Sequence, residues 1–222
     1  MDPLFIVMYL LPVLAISAFV GSVNRKVLLF LAWGAIAAVP ALFLNQMVIR
    51  PVIPDTQYLV INVSPFIEEI FKVLPIIVLA YFTEKTPDRN VLVYAFAAGI
   101  GFSIVENYTL VPPAGSLPSA EFLVAVLTRS LSTSLMHGCT SGIIGYGIVI
   151  SRGVERSLLP VIILGFFTIA VTTHSFYNLL VFPGVLPYGI LLGLVIPFLL
   201  FQGLLMAYRV DFLTLIHSPE KG

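Results

Sequence analysis

Five side chains capable of acid–base or metal chemistry lie within stretches of sequence that are otherwise apolar. They are Glu68, Glu69, Glu106, His137 and His174. Hydrolysis of a peptide bond needs an activated water, a base that takes its proton, and donors that stabilise the tetrahedral oxyanion. A carboxylate shielded from water binds a proton more readily, so either member of the adjacent glutamate pair is a suitable base. These residue types therefore predict a hydrolytic site.

Two mechanisms are compatible with these residues. In the first, Glu106, His137 and His174 bind zinc as a His2Glu set that leaves a fourth position for water, and the paired glutamates supply the base. In the second no metal takes part, and one of the paired glutamates activates the water directly. The histidines then orient that water, and Asn178, with Asn107, stabilises the oxyanion. The sequence leaves both mechanisms open, because it gives no distances.

Seven apolar runs must position these side chains, and they account for most of the chain. Of its 222 residues 59% are hydrophobic and only 10% are charged, whereas a soluble domain carries roughly 25% charged residues. A helix needs about 20 apolar residues to span a bilayer. The sequence therefore predicts an all-α, polytopic transmembrane bundle that forms a single domain over residues 1–222. The predicted spans are residues 4–21, 27–44, 60–82, 91–111, 122–150, 158–182 and 187–208.

Charged residues inside these runs need partners. Glu68, Glu69, Lys72, Glu106 and Arg129 all lie in apolar runs, and five unpaired charges at mid-bilayer would cost on the order of 15 kcal/mol. That exceeds the net stability of most proteins, so these groups must face the bundle interior or a water-filled cavity. The i,i+4 spacing predicts that Lys72 pairs with Glu68. We expect Arg129 to be a structural partner of a buried carboxylate.

The distribution of cations predicts the orientation in the membrane. Alternating loops leave Arg50 alone on one side, so the positive-inside rule places the amino terminus outside and the carboxyl terminus in the cytoplasm. The candidate site then opens towards the external half of the bilayer. Met1–Asp2–Pro3 precede the first run without the basic segment of a secretory signal, so we expect a retained helix. The cations assigned to the cytoplasmic side are Arg25, Lys26, Lys85, Arg89, Arg152, Arg156, Arg209 and Lys221.

Charge balance and cysteine content exclude several classes. Eleven basic and eleven acidic residues give no net charge, so no nucleic-acid partner is expected. Cys139 is the only cysteine, which excludes an intrachain disulfide and a thiolate cluster. We expect Cys139 to be buried and His217, in the polar tail, to be an ordinary solvated residue. The expected surroundings are the lipid bilayer of a cell membrane, with a multi-pass topology.

Motifs on four of the apolar runs resemble those of the PrsW family of intramembrane proteases. Residues 68–72 match EExxK, residues 102–107 match FxxxEN, and His137 and His174 each begin a later motif. The resemblance covers about residues 60–180, so we expect a protease core at about 60–182. It implies cleavage of a membrane-anchored protein, which in the founding branch is an anti-sigma factor cut on its external side.

More distantly, the motifs are similar to those of the CAAX prenyl endopeptidases and the bacteriocin-immunity proteins. Glu106 stands where the prenyl endopeptidases carry His, and Asn178 stands where an Asp is expected in PrsW. Intramembrane charges also occur in proton- or ion-coupled transporters, and a noncatalytic immunity or scaffold protein can retain the same fold. Clustering of the ionisable groups at one depth favours a reaction site over a transport pathway.

Overall fold

The computed structural model describes residues 25–82, 86–110, 128–152, 154–155, 157–182 and 189–209, together with residues 120, 122, 124 and 126. All regular structure in these ranges is helical, which confirms the predicted fold class there. The predicted first span, residues 4–21, lies outside the described residues, as do His217 and the side chain of Arg129.

Six main helices in the described ranges follow the predicted apolar runs. Their ends differ from the predicted ends by up to four residues, except where α4 starts. Within the predicted run 122–150, that helix is preceded by a π-helical segment. The helices are α1 (Arg25–Phe43), α2 (Ser64–Phe82), α3 (Asp88–Leu110), α4 (Ser134–Ser151), α5 (Leu159–Val181) and α6 (Gly189–Arg209).

Three helical segments in the described ranges are long and apolar enough to cross a bilayer. They are Arg25–Ile49, Asp88–Leu110 and Leu159–Val181, while the apolar part of α6, Leu191–Ala207, is shorter. Helix α2 carries three charged residues in its amino-terminal half. The structure thus agrees with a helical membrane protein and supplies three spans by length and composition.

Three π-helical segments stand next to the helices that carry the motifs. Leu44–Ile49 follows α1, Leu59–Val63 comes between a single helical turn and α2, and Thr128–Thr133 precedes α4. A π-helix closes i→i+5 hydrogen bonds and is frequent at functional sites. The segment before α4 ends at Thr133, whose hydroxyl lies 3.0 Å from the hydroxyl of a tyrosine on α5.

Helix α3 lies at the centre of the bundle, and residues 91–103 are all buried. Glycines allow its neighbours to approach closely, as is usual where transmembrane helices pack. A Cβ on Gly99 would overlap the backbone carbonyl of His137 on α4, and one on Gly101 would overlap that of Leu31 on α1. Gly99 therefore sets the separation between α3 and the backbone that carries His137.

We expect Gly99→Ala to impair both folding and proteolysis, because the added methyl must displace the His137 backbone. Overpacking of this kind typically costs about 1–3 kcal/mol. Gly165→Ala on α5 is the matched control, since a Cβ there meets open space and alanine favours a helix. Thermal unfolding in detergent and cleavage assays measure the two effects. Equal behaviour of the two variants would contradict the close α3–α4 contact.

Trp33 compensates for a hydrogen bond that α2 lacks. Pro75 lies inside α2 and has no N–H, so the carbonyl of Phe71, four residues earlier, loses its helical donor. The indole N–H of Trp33 on α1 donates to that carbonyl at 3.0 Å. This bond fixes α1 against α2 one residue before Lys72.

Candidate active site

Glu69 lies at the centre of a buried polar network. Its Oε1 atom accepts hydrogen bonds from Lys72 Nζ at 2.6 Å, Thr140 Oγ1 at 2.8 Å and His174 Nδ1 at 2.9 Å. The predicted pairing of Lys72 with Glu68 is therefore wrong. Spacings of three and four residues both bring helical side chains together, and contacts with α4 and α5 place Glu69 where it can pair with Lys72.

Glu68 is also buried, but the described residues give it far fewer partners. Its Oε1 atom lies 3.5 Å from Asn45 Nδ2. Its Oε2 atom lies 3.6 Å from His174 Nε2 and has no hydrogen-bond partner among the described residues. Buried oxygens without partners are rare and indicate a water, an ion or a reactive group. Glu68 therefore accepts fewer hydrogen bonds from the protein than the adjacent Glu69 does.

Both ring nitrogens of His137 have neighbours. Nδ1 lies 2.9 Å from Lys72 Nζ, and Nε2 lies 2.5 Å from Glu106 Oε2. An ammonium group has only donors, so Nδ1 accepts from Lys72 and Nε2 carries the hydrogen donated to Glu106. The Phe102 ring packs against both groups, with its centroid 5.2 Å from Lys72 Nζ and 5.3 Å from the His137 ring. Phe102 therefore supports the geometry by packing.

The His174 ring stands edge-on to the His137 ring, with centroids 4.8 Å apart. Its Nδ1 faces the Glu69 carboxylate, so Nδ1 donates and Nε2 keeps a lone pair. That lone pair faces Glu68 Oε2 across 3.6 Å. Two acceptors opposed in this way are satisfied by a shared proton, a bridging water or a cation. In metal sites, a carboxylate that accepts from the second ring nitrogen of a histidine ligand fixes the tautomer of that histidine. Glu69 stands in this relation to His174.

One group of potential metal ligands converges in the described residues. The ligand atoms of Glu68, His137 and His174 all lie within 4.8 Å of one another, and all three side chains are buried. Two nitrogens and one carboxylate oxygen suit zinc, so the donor set fits this metal in type and number. Ligation by His137 would replace one of its two hydrogen bonds. Glu106, predicted from sequence as the third ligand, instead lies against His137 and is 13% exposed.

The asparagines expected to stabilise the oxyanion lie at two edges of the cluster. Asn178 Nδ2 donates to the carbonyl of Val60 at 2.9 Å, which ties α5 to the π-helical segment before α2. Asn107 Nδ2 lies 3.5 Å from Ser134 Oγ, which also accepts from Ser103 Oγ at 2.9 Å. These bonds connect α3 to α4 immediately before His137.

Two residues outside the motifs join the cluster. Thr140 lies three residues after His137 on α4, so helical spacing alone places both on one face. Asn45 lies one residue beyond the predicted run 27–44, in a stretch assigned to a loop, and was therefore not predicted as a site residue; its spacing of four from the buried Ala41 is the signal that could have found it. The structure buries Asn45 at 3% exposure.

A family model described as PrsW family intramembrane metalloprotease matches residues 24–204. The chain belongs to the PrsW family. The match reaches from α1 into α6 and contains the whole cluster, including Asn45, which lies outside the expected protease core. This PrsW chain is therefore an intramembrane protease, as the ordered motifs predicted. No curated protein and no solved structure matches it.

Proposed function

We propose that this PrsW chain hydrolyses peptide bonds of membrane-anchored proteins with a water activated at Glu68. The convergence of Glu68, His137 and His174 from three helices supports this most strongly, because their ligand atoms lie within 4.8 Å in a buried setting. Glu68 is preferred over Glu69 as the base. Each glutamate has one buried oxygen without a hydrogen-bond partner in the described residues. They differ in the other oxygen: Oε1 of Glu69 accepts from three donors, whereas Oε1 of Glu68 has one contact, at 3.5 Å.

In the metal-free version, the Glu68 carboxylate takes a proton from water while the water oxygen bonds to the substrate carbonyl carbon. The C–N bond then breaks, and the Glu68 carboxyl group gives that proton to the leaving amine nitrogen. We assign orientation of the water to His174, whose Nε2 faces Glu68. An amide nitrogen carries two hydrogens, so Asn178 has one for Val60 and one for the oxyanion, with Asn107 as a second donor.

In the metal version, Glu68, His137 and His174 would hold a zinc ion, which supplies Lewis-acid catalysis and lowers the pKa of water. Glu68 is then a ligand and Glu69 is held by three donors, so Glu106 is the carboxylate that accepts a proton. Its contact with His137 and its partial exposure suit that role. The ligand set predicted from sequence shares both histidines with this set but contains Glu106 in place of Glu68.

We further propose that the chain is one domain of seven spans in the cell membrane, with a core at about residues 60–182, the amino terminus outside and the carboxyl terminus in the cytoplasm. Cys139 is the sole cysteine and is buried, so introduced cysteines can be labelled selectively. Gln57→Cys before α2 should react with an impermeant reagent from outside, and Ser157→Cys before α5 should not. The reverse pattern would invert the orientation.

The substrate class is tested by incubating the purified protein in lipid vesicles with a panel of single-span membrane proteins, anti-sigma-factor-like proteins among them. We expect cleavage near the external half of the substrate span, mapped by mass spectrometry of the products. Glu68→Gln serves as the inactive control. Absence of cleavage across the panel by folded protein, together with solute uptake into the vesicles, would support a transporter instead.

A further inference from the structure

Asn45 is a buried amide on a segment that carries none of the motif residues. It is the only buried residue of the π-helical segment Leu44–Ile49. In the same segment Met47 and Val48 are exposed, at 66% and 46%. The segment thus buries its polar side chain and exposes apolar ones. This pattern is expected of a membrane helix whose polar group faces a functional interior.

Asn45 lies four residues after the buried Ala41, so it continues the buried face of α1 at the start of the π-helical segment. Its backbone carbonyl accepts from the N–H of Arg50, five residues later, at 2.9 Å. The neighbouring Gln46 points to the outside and bonds Arg50 through its side chain at 2.9 Å. The segment therefore carries two adjacent amide side chains with opposite surroundings, one buried beside the active site and one exposed.

The Asn45 side chain contacts the proposed base directly. Its Nδ2 lies 3.5 Å from Oε1 of Glu68 and is the donor that the described residues offer to that carboxylate. The Oδ1 atom of Asn45 and the Oε2 atom of Glu68 are both buried without a hydrogen-bond partner among the described residues. Two such acceptors on contacting side chains indicate that a donor, such as a water, belongs beside them.

We propose that Asn45 is a positioning residue for proteolysis: it holds Oε1 of Glu68 and thereby directs Oε2 towards the reacting water. This inference rests on the proposed role of Glu68. A carboxylate held by a donor on one oxygen keeps the other in a defined orientation, and misplacement of a reacting group by about 1 Å can cost 100-fold in rate. The first helix of the matched region thus contributes to the active site.

The test compares Asn45→Ala and Asn45→Leu with wild type on a cleaved single-span substrate. Leu keeps the size of the side chain but has no hydrogen to donate to Glu68. Both variants are expected to lower kcat by about 10- to 100-fold with KM within about twofold of wild type, since Asn45 acts through Glu68 and not on substrate binding. Gln46→Ala, one residue away on the exposed side, should retain wild-type kcat.

Several outcomes would overturn the inference. These are wild-type kcat in a folded Asn45→Ala or Asn45→Leu variant, an equal loss in Gln46→Ala, or a loss that appears in KM alone. Thermal unfolding identifies a variant that has merely lost its fold, and loss of the fold in both Asn45 variants would assign Asn45 to stability instead. Normal Asn45 variants beside an active wild type and an inactive Glu68→Gln protein would contradict the role of Asn45 alone. If Glu68→Gln cleaves normally, the proposed role of Glu68 fails.

Discussion

Glu68→Gln is expected to abolish proteolysis while the protein remains folded. The carboxamide keeps the size of the side chain but cannot take a proton from water, and loss of a general base typically lowers the rate by about 100- to 10,000-fold. Glu68 has two long contacts, with Asn45 at 3.5 Å and with His174 at 3.6 Å, and no ion pair with Lys72, so little stability depends on its charge. Its thermal unfolding should stay close to that of wild type, while kcat falls to the detection limit.

Glu69→Gln is the informative comparison, because it should lose activity for another reason. Glu69 pairs with the fully buried Lys72 at 2.6 Å, and removing one partner of a buried ion pair typically costs about 3–5 kcal/mol. It also releases Nδ1 of His174. The expected result is inactivity together with a lower unfolding temperature. The double variant Glu69→Gln/Lys72→Met should recover much of the stability without the activity, because no charge is left unpaired.

The two glutamates exchange roles if these results are reversed. A stable and inactive Glu69→Gln protein beside an active Glu68→Gln protein would assign the base to Glu69. Full turnover in both variants would remove the pair from the mechanism. Unfolding temperature is the necessary second measurement, since activity alone does not separate a lost base from a lost ion pair.

Helix positions were predictable from this sequence because a bilayer imposes length and apolar composition on each span. The six apolar runs in the described ranges each contain a helix, and except at the start of α4 the helix ends lie within four residues of the predicted ends. Helix α2 is not among the three segments that qualify as spans by length and composition. The reason is its charge, since it carries Glu68, Glu69 and Lys72 within one otherwise apolar helix.

The detailed contacts of the site were less predictable, because they depend on how helices face one another. Spacing within α2 allowed Lys72 to meet either glutamate, and tertiary contacts with α4 and α5 brought it to Glu69. Asn45 was not predicted because the apolar run ends one residue before it, although Asn45 continues the buried face of α1 into the π-helical segment. The motif residues themselves converge, since intramembrane polar groups must share an interior.

Metal content gives the second decisive comparison, because the two candidate ligand sets differ in one glutamate. If a metal is bound, the purified protein should hold about one zinc per chain, and activity should vanish with a strong chelator and return on adding zinc. His137→Ala and His174→Ala should each lower zinc content and activity in either case. Chelator-resistant activity of a zinc-free preparation would contradict the metal version and leave the water activated at Glu68 directly.

The choice between the sets then depends on Glu68→Gln and Glu106→Gln, compared by zinc content as well as by turnover. Glu68 lies with both histidines within 4.8 Å, so we expect Glu68→Gln to lose the metal. Glu106 is bonded to His137 Nε2, so Glu106→Gln should keep most of the zinc and lose activity, because a proton acceptor is removed and not a ligand. The opposite pattern, with zinc lost only in Glu106→Gln, would restore the set predicted from sequence. In that case Glu68 would be free of the metal and would act as the base beside it.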